Sequence, residues 1–281
     1  YDTMYAALTA LNAAQAAARE HVTAYAALTN AQMLMDEAAA IYTETASIEA
    51  LEAYAATSAK LEDVDNMTTE EIIALTEECN YVAAALKVPA DITASDDAPL
   101  DMTSIIVNPD FSTGDASGWT YGFDAISNLG YQGATYTNGE VSISQFIEGW
   151  RSGNNPIGDG SIEQTLKALP AGTYVLAADI NATDQGGTKE TTAGFYLFAN
   201  EEGGKKFAIE VATGNGAPEH FELTINKETK ESDLTIGIMT LNAAGNWLAA
   251  DNFTLTYYGT ESAKVPAGDA TGIESVESVE V

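Results

Sequence analysis

Trp150 stands in the run Glu148-Gly149-Trp150-Arg151-Ser152-Gly153-Asn154-Asn155, otherwise made of small and polar residues. That mixture suits a sugar. The C–H face of a pyranose packs on an aromatic ring while amides and charged groups read its hydroxyls. Glu148, Trp150, Arg151, Asn154 and Asn155 are therefore candidate carbohydrate contacts. A second polar loop, Asp184-Gln185-Gly186-Gly187-Thr188, adds Asp184 and Gln185 to the same rim. The Gly and Asn content places Trp150 on a loop outside the core. The competing role is a ring that caps one end of a core, which a stability measurement separates from a binding platform. Trp119 and Trp247 lie in strand-like runs and are expected inside.

Other chemistry finds less support. His21 and His220 are the only histidines, far apart and without metal-protease spacing, so each reads as an ordinary surface residue. Cys79 falls on an apolar helical stripe, where a free thiol acts as a small hydrophobe. Glycoside hydrolysis needs two carboxylates across a bound sugar. Glu148, Asp159 and Asp184 qualify only by lying near aromatic or loop residues, and the reading is non-enzymatic.

Charge narrows the partners. Eleven basic residues against 42 acidic ones give the 281-residue chain a net charge of −31. Nucleic acid is excluded, because no phosphate backbone can be neutralised. No apolar run is long enough to cross a bilayer, and the charge repels anionic membranes. A bound glycan is expected to be neutral or cationic.

The elements that must position these residues differ between two halves. All 23 glycines lie from Gly114 onward, and no proline precedes Pro89. Alanine, the best helix former, dominates the first part. Met4, Leu8, Leu11, Gln15, Ala18, Val22 and Tyr25 recur at 4-3 spacing, then Leu28, Ala31, Met35, Ala38 and Tyr42 continue a shifted stripe. One long helix over 3–45 is the simplest reading, although the pentapeptide Tyr-Ala-Ala-Leu-Thr at 5–9 and 25–29 hints at a break near 19–22. Ser47 is an N-cap for a second helix, and Thr68-Thr69-Glu70-Glu71 is a capping box for a third. The third carries Ile72, Leu75, Cys79, Val82 and Leu86 on one face.

Beyond a polar linker at 89–101 come about ten short β-type runs separated by Gly and Asn, with alternation in Phe221–Ile225 and Phe253–Tyr257. The fold class is two-domain, all-α plus all-β. A three-helix bundle over 1–88 precedes a β-sandwich over 102–260, and an acidic tail, expected to be flexible, covers 261–281.

The segment Ile106-Val107-Asn108-Pro109-Asp110-Phe111-Ser112 with Gly118-Trp119 resembles the opening strand of galactose-binding-like jelly rolls, shared by carbohydrate-binding modules. Ile162–Leu166, Leu169-Pro170-Ala171-Gly172-Thr173-Tyr174 and Asn246–Phe253 are similar to later pieces of that family, so the resemblance spans 105–258. It implies sugar binding and a structural calcium ion where the first strand meets the last. By position Asn108, Asp110 and Asp251 would ligate it, although Ser112 stands where related modules often carry an acid. The helical half is similar to FIVAR-type spacers. Ala270–Val276 looks like the lead-in to sorting segments of secreted Bacteroidetes proteins, and both ends look excised from something longer. The resemblance thus implies a secreted or cell-surface module pair that binds a glycan without cleaving it. The alternative is a structural or adhesive protein whose sandwich meets protein partners.

Overall fold

The computed structural model describes residues 2–123, 127–153, 155–185, 193–213 and 217–268. The chain forms two compact units, residues 1–91 and 92–281.

The first unit holds helices α1 (Asp2–Tyr42), α2 (Ile48–Leu61) and α3 (Thr69–Lys87). The expected caps are present. Ser47 Oγ accepts the Ala50 amide, and Thr68 and Glu71 close a reciprocal capping box. Ile72, Leu75, Cys79, Val82 and Leu86 are buried against Leu28, Ala31, Met35 and Ala38 of α1. Burial pushes the Cys79 thiol up to about 11, so it stays protonated and inert at neutral pH. Lys60 pairs with Glu78 at 2.6 Å, and that bond holds the Glu78 carboxyl below its usual range.

Helix α1 is one uninterrupted helix, so the repeated pentapeptide marks no break. Its stripe is not buried throughout: Met4, Leu8, Leu11 and Val22 are exposed. Length explains this. At 1.5 Å per residue the 41 residues of α1 run about 60 Å, while the 19 of α3 run about 28 Å and cover only the C-terminal half.

The second unit is a sandwich of two antiparallel sheets. Its strands are β1 (Leu100–Asp101), β2 (Thr120–Phe123), β3 (Asn128–Gln132), β4 (Tyr136–Asn138), β5 (Val141–Ile143), β6 (Phe146–Trp150), β7 (Gly160–Leu166), β8 (Gly172–Thr183), β9 (Phe195–Glu201), β10 (Lys206–Glu210), β11 (Glu219–Lys227), β12 (Leu234–Thr240) and β13 (Trp247–Tyr257). One sheet runs β11-β8-β13-β6-β3, with β1 also on β13; the other runs β10-β9-β12-β7-β2. Strands β4 and β5 form a separate hairpin. Between the sheets Leu176, Leu197, Leu223, Ile236 and Leu255 are buried, supplied by the period-two alternation of each strand, and Phe111 joins them from the loop before β2.

Two expectations change. The segment likened to an opening strand is not one: residues 106–112 run through bends and turns after a 3₁₀ turn over Thr103–Ile105, which is started by Asp101 Oδ1 accepting the Thr103 amide. The linker is not wholly free, since Leu100 and Asp101 pair with Tyr257 and Thr256. Of the proposed tail, residues 269–281 lie outside the described residues, and so does the Ala270–Val276 segment.

Candidate functional site

On strand β6 the alternation sends Ile147 toward the sandwich core and Phe146, Glu148 and Trp150 to the opposite face of the sheet. Register builds a row there. Trp150 lies opposite Trp247 on β13 and Asn128 on β3, and Glu148 lies opposite Ala249. An outward sheet face is ordinarily wet, yet Phe146, Trp247, Ala249 and Ile143 are fully buried. The β4–β5 hairpin supplies Ile143 and Tyr136 to this cluster. The Tyr136 ring lies 4.9 Å from Trp247 and 5.9 Å from Phe146, centroid to centroid.

Beside this cluster is a cleft of about 190 Å³. Tyr136, Phe146, Trp150 and Ala134 give it apolar and aromatic surface, and Asn128, Gln132, Gln185 and Glu148 give it amides and a carboxylate. It is smaller than the roughly 300–1,000 Å³ of sites for drug-sized ligands, so it suits a group of about one ring.

Glu148 is buried and accepts hydrogen bonds from Trp247 Nε1 at 2.6 Å and from Asn128 Nδ2 at 3.3 Å. Burial pushes its carboxyl up; the Trp247 and Asn128 donors pull the other way without winning. The carboxylate is thus a fixed acceptor that orders the indole and amide around it.

Three buried polar atoms at this end of the sheet have no partner among the described residues: Trp150 Nε1, Thr183 Oγ1 and Asp184 Oδ1. Thr183 and Trp150 flank Trp247 on either side in register. Next to them, Asn246 Oδ1 receives the Gln185 amide at 2.8 Å. Buried polar groups are satisfied in the great majority of cases, so such a cluster asks for a ligand or ordered water.

The structure brings Glu148, Trp150 and Gln185 together in one cleft and puts Asp184 next to it. Trp150 ends a strand and is half-buried, so its expected place on an exposed loop is corrected. Pairing on both sides of β6 overrides the Gly-rich composition. Arg151 and Asn155 do not line the cleft. Arg151 Nη1 donates to the Pro156 carbonyl and Asn155 Nδ2 to the Ser152 carbonyl, closing their own loop. Asn154 lies outside the described residues, as do Gly186, Gly187 and Thr188. Asn128, Gln132, Tyr136 and Phe146 were not among the expected contacts. Trp119 and Trp247 are buried as expected, Trp119 against Phe111 and Phe253, Trp247 in the cleft's own cluster.

The residues considered for calcium sit where the 108–112 turn meets β13. Asp251 is buried; its Oδ2 accepts the Ser144 amide and its Oδ1 the Asn252 amide, at 3.0 and 2.8 Å. Burial raises its carboxyl, and the charge of Asp110 adds to the rise. Asp110 Oδ1 accepts from the Ser112 amide and hydroxyl, and the hydroxyl bond holds that carboxyl low. Asn108 donates to the Asp115 carbonyl, and its Oδ1 has no partner among the described residues. Calcium takes six to eight oxygens. Among the described residues no group of three or more His, Cys, Asp or Glu side chains is arranged around an ion. The contacts present are those of carboxylates that close turns. His220 lies on the sheet's edge strand and meets Asp179 at 2.8 Å, and His21 meets Thr69 Oγ1 at 3.0 Å.

No protein-family model matches the chain, and neither does any curated protein. Solved structures similar to it include TmCBM61 in complex with β-1,4-galactotriose, at 21% identity and a TM-score of 0.40 over 53% of this chain and 95% of that one. The C-terminal family 22 carbohydrate-binding module of Clostridium thermocellum Xyn10B is 16% identical, with a TM-score of 0.38 over 54% and 92%. A cyclase from Fischerella sp. TAU is 17% identical, with a TM-score of 0.42 over 56% and 96%. Sugar binders and an enzyme thus stand at the same low score. What the sandwich does is read from the cleft's own residues.

Proposed function

We propose that the sandwich is a non-catalytic carbohydrate-binding module that takes one pyranose of a neutral glycan into the cleft beside Glu148 and Trp150. The observation that carries this reading is the cleft wall itself: aromatic surface from Tyr136 and Trp150 beside three side-chain amides, with orphaned polar atoms on Trp150, Thr183 and Asp184. The rings cover the sugar's C–H face, and Asn128, Gln132 and Gln185 offer both donors and acceptors to its hydroxyls. Among the described residues that line the cleft Glu148 is the one carboxylate, and its oxygens already accept Trp247 and Asn128. A hydrolase would need a second carboxylate across the ring. With the glycan outside the cell, the chain would work as a secreted or surface-held module, its helical unit a spacer of the FIVAR kind.

The test is a glycan array probed with the full chain, followed by calorimetry on any hit. Binding that is lost in Trp150→Ala and in Asn128→Ala supports the cleft. Hits that survive both changes would move the site elsewhere, and silence across neutral glycans would sink the sugar reading.

A further inference from the structure

From residue 4 to residue 20, α1 is exposed on every side, and Met4, Tyr5, Leu8, Leu11 and Val22 face solvent. A lone helix of this length is marginal in water even when rich in alanine, so a covering partner is needed to hold it. The exposed stripe is Met4, Leu8, Leu11, Gln15, Ala18 and Val22, spaced 4-3-4-3-4 as in a coiled-coil seam. It is self-complementary about the level of Ala13. Laid antiparallel on itself, Met4 meets Val22, Leu8 meets Ala18 and Leu11 meets Gln15, so the large Leu8 falls on a small residue. An open hollow of about 500 Å³ lies along Ala18, Arg19, Val22 and Thr23, where the partner's Met4 and Leu8 would arrive.

Charge selects the partner. In a chain of net charge −31, Asp2 is the only charged residue among the first 18. This neutral segment is where a second, equally acidic copy approaches at least cost. Antiparallel overlap sets the two acidic three-helix bundles about 30 Å apart at opposite ends, beyond a Debye length of about 8 Å at physiological salt. Parallel overlap would set them side by side. We propose that residues 2–22 of α1 form a two-fold antiparallel dimer interface with the same segment of a second copy of this chain.

Sedimentation of the full 281-residue chain tests this. A reversible monomer–dimer equilibrium with a dissociation constant of about micromolar order is expected, since a single helix pair is a small interface. Leu8→Asp with Leu11→Asp should raise that constant at least about 100-fold while leaving the bundle's melting temperature unchanged, as neither residue packs within its own copy. Under mild oxidation, Met4→Cys combined with Val22→Cys should give a covalent dimer. The two positions are about 27 Å apart on one helix and cannot close on themselves. Leu8→Cys alone should not cross-link. A chain that stays monomeric at about 100 µM, or a cross-link at position 8 in place of 4 and 22, would overturn the interface.

Discussion

Glu148 shows how one buried acceptor can organise a site. Its carboxylate holds Trp247 Nε1 and Asn128 Nδ2, and so fixes the floor and one wall of the cleft. The folded protein binds this proton more tightly than the unfolded chain, whose value is near 4.5. Its contribution to stability is therefore full below that pH and is lost as pH rises through the raised folded value. In Glu148→Gln that pH dependence should vanish. Melting curves of the two proteins are expected to run together in acid, where Glu148 is neutral like the amide, and wild type is expected to fall behind as the pH rises through the raised value; parallel curves across the range would contradict the raised carboxyl. Asp251 titrates in the same sense but has a different task. Its removal in Asp251→Ala leaves the Ser144 and Asn252 amides unpaired, at a cost of about 2 kcal/mol for two part-buried donors. As a turn-closing residue it should cost this with or without chelator. A melting temperature that rises on adding calcium to stripped protein, and does so only with Asp251 present, would assign it to a metal instead. Glu148, Trp150 and Gln185 were legible in the sequence because an aromatic among amides is unusual. Arg151 and Asn155 share that composition yet spend their side chains on their own loop, a distinction only coordinates can draw.

At the scale of elements, the cleft depends on two pieces that the sequence concealed. Strand β3, Asn-Leu-Gly-Tyr-Gln, has no β-branched residue and no clean alternation, so propensity does not announce it. Its pairing with β6, some fifteen residues on, makes it a strand. The β4–β5 hairpin is three residues a side and marginal alone; Tyr136 and Ile143 secure it on Trp247 and Phe146. The caps of α2 and α3 and the buried stripe of α3 were fully readable, because capping and helical periodicity are local. Tyr136→Ala should strip the hairpin's anchor. A partly buried ring in a small cluster predicts a loss of about 2 kcal/mol and, on the proposed reading, an affinity below detection. Unchanged affinity would show that the hairpin does not build the cleft. A sharper packing test lies at Gly237 on β12, where an added Cβ would sit 2.2 Å from the Ile162 carbonyl oxygen in the paired strand. The nearest atoms belong to the β7 backbone, which has no room to give, so Gly237→Ala should cost about 3 kcal/mol or abolish folding.

The whole molecule couples two units of opposite construction under one strong charge. The helical unit owes its stability to local structure plus the face α3 shares with α1 and α2, whereas the sandwich rests on pairings distant in sequence. Each has its own buried core, so a fragment of residues 92–281 should unfold in a single cooperative transition on its own. The boundary matters, and here the expected linker at 89–101 misleads. Leu100 and Asp101 extend the sheet beside Tyr257 and Thr256, and Met102 and Ile105 are buried. A fragment starting at residue 107 would lose that edge strand, those two apolar side chains and the equally buried Ile106. By the usual cost of truncating buried aliphatic residues it should be less stable than the longer fragment by at least about 3 kcal/mol. Raising the salt should stabilise both fragments by screening self-repulsion among the acidic side chains, and should leave the gap between them nearly unchanged, because burial does not respond to ionic strength. Chemical denaturation of the two fragments at low and high salt measures both quantities. Equal stability would return 89–106 to the role of a tether, and a gap that closed with salt would show that charge, not packing, binds this segment to the sandwich.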